Sequence, residues 1–436
     1  MNFVLLSGGS GKRLWPLSND VRSKQFLKLF KGQDDEKISM VQQMYAGLRS
    51  VDTNANITVA TSITQVSALK NQVGQDVQIS IEPGRRDTFP AIALCANYLK
   101  DVEHVGLDEA VVVCPVDPYV EKDWFDALYA LGEEVEKSES NLVLLGIEPT
   151  YPSEKYGYII PSTEASVSNV SAFKEKPDKE MAQDYISKGA LWNGGVFGFK
   201  LQYLIDKSHE LLDFVDYNDL YNKYNSVNKI SFDYAVAEKE SKISVMRFNG
   251  LWKDLGTWNT LTEVLPDAIT GKAVMDDTCE NVHILNELDM PVLAMGLKNV
   301  VVAAGPEGIL VADKDQSSYM KPFVDGFDGD VKFAEKSWGE YRVLDETPGS
   351  ITIRVTLEAG NAMKYHSHEL RDEVWNIVSG TGIVTVDGMK NEVGAGDVIT
   401  IQAGCRHTIE AKTRLSLIEV QIGKEIKADD KQVYKL

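Results

Sequence analysis

Residues 1–27 read MNFVLLSGGSGKRLWPLSNDVRSKQFL, an apolar strand followed by a glycine-rich turn and a run of cations. The apolar run has the length of one strand buried on both faces. Gly8, Gly9 and Gly11 let the backbone wrap closely around a ligand and turn N–H groups toward an anion. Lys12, Arg13 and Lys24 add more positive charge than one phosphate requires. Two familiar phosphate loops do not fit. G-x-x-x-x-G-K-[ST] needs glycine where Leu6 stands, and Arg13 follows Lys12; G-x-G-x-x-G needs glycine where Leu14 stands.

Outward from this turn, apolar runs alternate with helical patterns as far as about Leu265. NFVLLS, NITVA, VQISI, AVVVC and NLVLLGI read as strands, while ISMVQQMYAGLRS, SITQVSALKNQV, PAIALCANYLKDV and DWFDALYALGEEVEK carry helical spacing. This alternation predicts an α/β layer with a mostly parallel sheet, whose ligands bind beyond the C-terminal strand ends, where the glycine turn falls. Residues 266–329 change to short β-prone pieces (VHIL, PVLAMGL, NVVVAAG, GILVADKD), expected as a β-rich connector with one or two β-helix-like coils. From residue 330 to 436 short strands separated by glycine turns predict an all-β sandwich or barrel.

The 436 residues allow two or three domains with full cores. A net charge of −20 argues against nucleic acid or an anionic membrane as the main partner, though a local cationic pocket still suits a small phosphorylated ligand. The start MNFVLLSGG lacks a basic n-region, and no stretch of about 20 apolar residues suggests a membrane span. Cys95, Cys114, Cys279 and Cys405 form no C-x-x-C pair and read as reduced, buried thiols of a cytoplasmic protein.

Further motifs narrow the chemistry. VVVCPVDPYV places Asp117 just past a buried strand, and LWKDLGTWNTL places Asp254 in a turn; two carboxylates from separate strand ends suit one hard cation such as Mg2+. FKEKPD offers Glu175 to a polyol and Lys176 to a phosphate, and LWNGGVFGF sets Asn193 beside a glycine pair. Singly, each has an ordinary structural reading. Together and in this order, LSGGSGKRLWPLS, KQFL, YGYI, FKEKPD, WNGGVFGF, FDYAVAEK and WKDLGTWNTL resemble the sugar-1-phosphate nucleotidyltransferases, specifically the bacterial mannose-1-phosphate guanylyltransferases, over about residues 1–320.

The resemblance implies a Rossmann-like nucleotidyltransferase domain over 1–265 that uses GTP and mannose 1-phosphate, with a homodimer as the candidate assembly. Ser7, Gly8, Gly9, Gly11, Lys12, Arg13, Glu82, Arg86, Asp87 and Thr88 would bind the nucleotide. Lys24 would stand beside the reacting phosphoryl group with Arg13, and Asp117 and Asp254 would hold Mg2+. Gly157, Glu175, Lys176, Asn193 and Gly194 would hold the sugar and its phosphate. The base-side segment EPGRRDTFPA departs from the family's E-P-x-G-R-N-T-A-P-A at Arg85, Asp87 and Phe89, although an aspartate can accept from guanine N1–H and its amino group. The same fold acting on another hexose 1-phosphate or nucleoside triphosphate is one alternative. A non-catalytic nucleotide-sugar sensor is another, which intact Lys24, Asp117 and Asp254 disfavour.

A second constellation lies near the C-terminus. In GNAMKYHSHELRDEVWNIVSG, strand alternation puts His366 and His368 on one face, and Glu373 follows after four residues. GDVITIQAGCRH brings His407 from another strand. These four residues suit Zn2+, Fe2+, Mn2+ or Ni2+. Three of the six histidines fall in this pattern, and the two segments resemble both cupin motifs, with Gln402 replacing the usual proline. A cupin fused to this family resembles a type II phosphomannose isomerase, and KSWGEYRVL resembles that domain's opening. Here Glu369 and Leu370 separate the histidine pair from Arg371, and Val374 replaces a common histidine; these departures leave both readings open, an isomerase and a metal-binding cupin whose displaced Arg371 has lost its substrate contact.

Overall fold

The computed structural model describes residues 1–9, 11–32, 36–327, 330–427 and 430–435. The strand Asn2–Leu6 lies between Asn56–Ser62 and Ala110–Pro115, parallel to both, with Phe3, Val4 and Leu5 buried. The helices between these strands bury one stripe each. In Met40–Val51 the stripe is Met40, Val41, Met44 and Leu48, and Ser39 and Gln42 close a reciprocal capping box at its start.

The nine-stranded sheet runs Gln78–Glu82, Asn56–Ser62, Asn2–Leu6, Ala110–Pro115, Leu191–Lys200, Leu142–Ile147, Ile243–Phe248, Val167–Lys174, Gly157–Pro161. Its first four strands are parallel, as are Leu142–Ile147 and Ile243–Phe248. Leu191–Lys200 enters antiparallel between the two groups, and an antiparallel hairpin closes the edge. The sheet is therefore mixed beyond Ala110–Pro115, where a mostly parallel one was expected. Continuous apolarity reports burial on both faces and carries no information about strand direction.

The connector pairs its strands in parallel, Ile269–Thr270 with His283–Asn286 with Val300–Gly305, and Ala273–Met275 with Val292–Ala294, before an antiparallel return along Gly308–Asp313. That is the expected β-helix-like coil. Its Leu285, Val301 and Ala303 pack with Leu14, Leu17, Leu27 and Trp258 of the N-terminal part. The C-terminal part is two facing sheets of six and five strands around Val355, Leu357, Trp375, Ile377, Ile409 and Leu417. Cys95 and Cys114 are buried as expected, whereas Cys279 and Cys405 are only half-buried; all four are free thiols. Among the described residues no helix is long and apolar enough to cross a membrane.

One side chain ties all three parts together. Arg22 is buried, and its two terminal nitrogens donate to both oxygens of Glu287 in the connector at 2.8 and 3.0 Å. Its guanidinium also lies 4.8 Å from the centroid of Phe333, at the start of the C-terminal sheets. Removing one partner of such a pair leaves the other desolvated and unpaired, so Arg22→Ala should lower the unfolding free energy by about 3 kcal/mol. Denaturant midpoints would show this, with Glu287→Gln costing less because it keeps an acceptor.

Candidate active site

Asp117 sits in the bend between Ala110–Pro115 and the short strand Pro118–Val120. That short strand pairs antiparallel with Trp252–Asp254, with Asp254 opposite Pro118, so local pairing brings the two aspartates together. Lys24 reaches them from a 3-10 turn: its Nζ is 2.7 Å from Asp117 and 3.9 Å from Asp254, and donates to the Leu255 carbonyl at 3.3 Å. Burial opposes the charge on Asp117, but the Lys24 ammonium outweighs it and holds the carboxyl below its ordinary value. Asp254 goes the other way: burial pushes it up, Lys24 counters only in part, and Asp117 adds to the rise. Arg13 Nη1 lies 3.6 Å from where a Cβ on Gly256 would stand, beside the Asp254 carboxylate. A cation already bridges these carboxylates, and with phosphate oxygens and water their donor set fits a hard divalent ion.

The glycine turn opens onto a 620 Å3 cleft lined by Gly8, Gly9, Glu82, Arg86, Asp87 and Thr88 among the expected nucleotide-binding residues. Gly9 adopts φ +135°, and a Cβ on Gly8 would stand 3.3 Å from Glu82 Oε1. Ser7 is fully buried and anchors the turn, its N–H donating to Ala60 and its carbonyl accepting from Gln25 Nε2 at 2.7 Å. Gly11 opens a 3-10 turn over Gly11–Leu14. Lys12 is turned to Asp325, 3.5 Å away. Arg86 donates to the carbonyls of Tyr224 and Asn225, and Asp87, at φ +70°, caps the backbone N–H of Thr88 at 2.8 Å. Glu82 lines the cleft from a buried position, pushed up to about 7 by burial, with Tyr224 donating to its Oε2 at 2.9 Å, while Asp87 is exposed there and uses only Oδ1 in its cap.

The sugar-side motifs meet through the strand Leu191–Lys200. Asn193 pairs opposite Gly157, and the register then shifts before Phe197, with Gly195 at φ +73°. A Cβ on Gly157 would lie 2.3 Å from Glu175 Oε2, so only glycine lets Glu175 in. That oxygen is buried without a hydrogen-bond partner among the described residues, an orphan acceptor suited to a hydroxyl group. Lys176 ion-pairs with Glu175, and Gly194 packs under Trp252 and Ile147. Asn193 Nδ2 donates to Asp233 at 2.6 Å; burial and then the charge of Glu175 push Asp233 up to about 6.

In the C-terminal part His366, His368 and His407 gather, with ligand atoms within 4.8 Å of one another. Each Nδ1 lies against a backbone carbonyl, of Lys364 at 2.6 Å, Asp430 at 3.0 Å and Cys405 at 2.9 Å. Those contacts place the protons on Nδ1 and leave the Nε2 lone pairs to converge. Glu373 stands 3.3 Å from Nε2 of both His368 and His407. Burial holds His366 down to about 3 and His368 to about 4, keeping both neutral and able to ligate. His407 Nε2 is buried with no hydrogen bond, so the set fits a transition metal. Arg371 donates from Nη2 to His368 Nε2 at 2.9 Å and from Nε to Glu373 at 3.1 Å, a guanidinium that a metal ion would displace.

Despite the two-residue insertion, Arg371 stays beside the histidines. The inserted Glu369 and Leu370 form a loop whose backbone N–H groups both donate to the Asp430 carboxylate, at 3.1 and 2.9 Å, and Arg371 returns to line a 390 Å3 cavity beside the histidines. Lys336, Lys431 and Glu419 line the same cavity; burial lowers Lys431 to about 8 and raises Glu419 to about 7.

Residues 2–270 match the nucleotidyl transferase family, and residues 331–435 match the mannose-6-phosphate isomerase C-terminal family. The chain belongs to the nucleotidyl transferase family. A mannose-1-phosphate guanylyltransferase of Klebsiella pneumoniae is 30% identical over 98% of this chain and 97% of its own. The xanthan biosynthesis protein XanB of Xanthomonas campestris pv. campestris (strain B100) is 30% identical over 98% of this chain and 96% of its own. Among solved structures, the mannose-1-phosphate geranyltransferase of Thermus thermophilus superposes with a TM-score of 0.62 at 29% identity, covering 74% of this chain and 98% of that one. The α/β layer with its glycine turn and carboxylate pair is thus a nucleotidyltransferase fold, followed by a cupin.

Some site residues of this nucleotidyltransferase escape sequence reading. Asp233 lies inside the quoted FDYAVAEK, where a carboxyl after an aromatic reads as helix surface. Lys229 and Lys321 line the nucleotide cleft from separate segments, with no spacing to mark them. The raised Asp233 value has a sign that can be checked. The folded state holds the proton more tightly than the chain at its ordinary 3.8, so the stabilisation is complete below that value and is lost as pH rises through about 6. Asp233→Asn should flatten this part of the pH dependence of the urea midpoint between about pH 4 and 6.

Proposed function

We propose that the protein transfers GMP from GTP to mannose 1-phosphate, giving GDP-mannose and pyrophosphate. One observation carries this reading: Lys24 lies between Asp117 and Asp254, each joined to the short strands at the ligand-facing end of the sheet. The names of the full-length relatives support the substrates. Glu82 and Asp87 support the base, since both line the cleft and each keeps one carboxylate oxygen outside its own hydrogen bond for guanine N–H groups.

A sugar 1-phosphate is already an anionic nucleophile at neutral pH, so the site needs positioning and charge rather than a general base. Glu175, Asn193 and Asp233 orient the hydroxyls of the sugar, and Lys176 meets its phosphate. Lys24 and Arg13 place positive charge beside the reacting phosphoryl group. Asp117 and Asp254 would hold Mg2+, which when bound neutralises charge on the α-phosphate and the departing pyrophosphate.

Pyrophosphate release with each nucleoside triphosphate and hexose 1-phosphate tests the reading; GTP with mannose 1-phosphate should be among the best pairs, and failure of that pair ends it. Asp117→Asn and Asp254→Asn should each lower kcat at least about a hundredfold. Glu175→Gln should mainly raise KM for the sugar phosphate.

The cupin supports a second activity, the interconversion of fructose 6-phosphate and mannose 6-phosphate. The observation favouring it is the return of Arg371 to a cavity that also holds Lys336 and Lys431, cations suited to a phosphorylated sugar, beside the three imidazoles. His366, His368, Glu373 and His407 would hold Zn2+ or a similar ion, which when bound polarises a sugar carbonyl oxygen. Metal analysis of the purified protein should find the ion in wild type and a large loss in His366→Ala, and isomerisation should fall with it. Together the two activities would serve polysaccharide biosynthesis, the role that the xanthan relative's name gives for that protein.

A further inference from the structure

The nucleotide cleft has a wall from far along the chain. Lys321 opens the short helix Lys321–Val324, which follows the last connector strand and a 3-10 turn, yet it lines the same cleft as Gly8, Gly9, Glu82 and Arg85. Three contacts hold this helix against the segment after the glycines. Met320 and Val324 are buried with Leu14 and Leu17. Lys12 pairs with Asp325 at 3.5 Å, and the ring of Trp15 packs on Phe327 with centroids 5.1 Å apart.

Most cations near the glycine turn are already engaged. Lys12 is on Asp325, Lys24 on Asp117, and Arg86 on two backbone carbonyls. Arg85 has only an exposed pairing with Asp20 at 3.5 Å. The side-chain ammonium of Lys321 has no hydrogen bond or ion pair among the described residues, and the residue is exposed at the cleft. In a chain of net charge −20, a free ammonium facing a glycine turn is placed where a polyanion would be stabilised.

We propose that Lys321 binds the β- and γ-phosphates of the nucleoside triphosphate, so that the connector adds a cation to Arg85 and Lys229, which the N-terminal layer sets on the same cleft. The proposal rests on the nucleotidyl-transfer reading above. In this arrangement Lys12 acts on the nucleotide through Asp325, as a positioning residue that keeps the helix on the cleft. The contact is with the part of the substrate that leaves as pyrophosphate, so it discriminates triphosphate from monophosphate.

The experiment compares Mg·GTP and GMP binding by calorimetry in wild type, Lys321→Ala, Lys321→Arg and Asp325→Ala, alongside steady-state kinetics. Lys321→Ala should weaken GTP about tenfold, as expected for one lost charge-assisted hydrogen bond, and leave GMP affinity unchanged. KM for GTP should rise with it, KM for mannose 1-phosphate should not, and Lys321→Arg should recover most of the loss. Asp325→Ala should shift GTP in the same direction by a smaller factor. Because Lys321 is exposed, the thermal midpoint of Lys321→Ala should match wild type. Equal GTP affinity in wild type and Lys321→Ala overturns the proposal while leaving GMP transfer standing, and so does an equal loss for GTP and GMP. Wild-type protein that binds none of the common nucleoside triphosphates overturns the transfer reading and this proposal with it.

Discussion

The arrangement turns on one ammonium group set between two carboxylates. Asp117 and Asp254 come from different parts of the chain and lie near one another only because two three-residue strands pair. Two acids so placed repel, and Lys24 resolves this by sitting on Asp117 and within reach of Asp254. The segment carrying Lys24 is itself fixed at both ends. Gln25 is buried and donates to the carbonyl of Ser7, below the glycine turn, and Arg22 joins Glu287 and Phe333. A short stretch after the turn therefore sets the reacting centre, the seat of the connector and the approach of the cupin.

The sugar side depends on a different constraint, the strand Leu191–Lys200. Its antiparallel insertion lets it pair with three neighbours, and its bulge at the glycine pair marks where it changes partners. Asn193 is carried opposite Gly157, whose missing side chain leaves the volume that Glu175 occupies. Three motifs far apart in the chain are thus one cluster, and Gly157 is the space that admits its carboxylate. The aromatic wall around it, Tyr156, Trp192 and Trp252, has ring centroids 5.0 to 6.4 Å apart.

In the cupin the backbone decides the chemistry of the histidines. Carbonyl groups take each Nδ1–H, so every lone pair points to a shared place. Asp430 does two things there: its carbonyl orients His368, and its carboxylate caps the loop of inserted residues. An insertion that reads in sequence as a displacement of Arg371 is absorbed by a backbone loop.

Local pattern was enough for much of this protein. Apolar runs and helical spacing place the strands and helices within a few residues, because burial on one or two faces writes a period into the chain. The glycine turn, Asp117, Asp254, Glu175 and Asn193 were singled out because their motifs, taken together and in order, resemble one family, and the histidine set because strand alternation puts two imidazoles on one face. Strand direction was not legible, since a buried strand looks alike either way, and the sheet proved mixed. Nor were the engagements of Lys12 with Asp325 and Asp87 with its own helix, or the presence of Lys229, Lys321 and Lys431 at the cavities. A lysine on a polar surface has the same local sequence whether it faces water or a cleft. Only long-range packing, which lays the connector helix on Leu14 and Leu17, decides which of those cations meets a ligand.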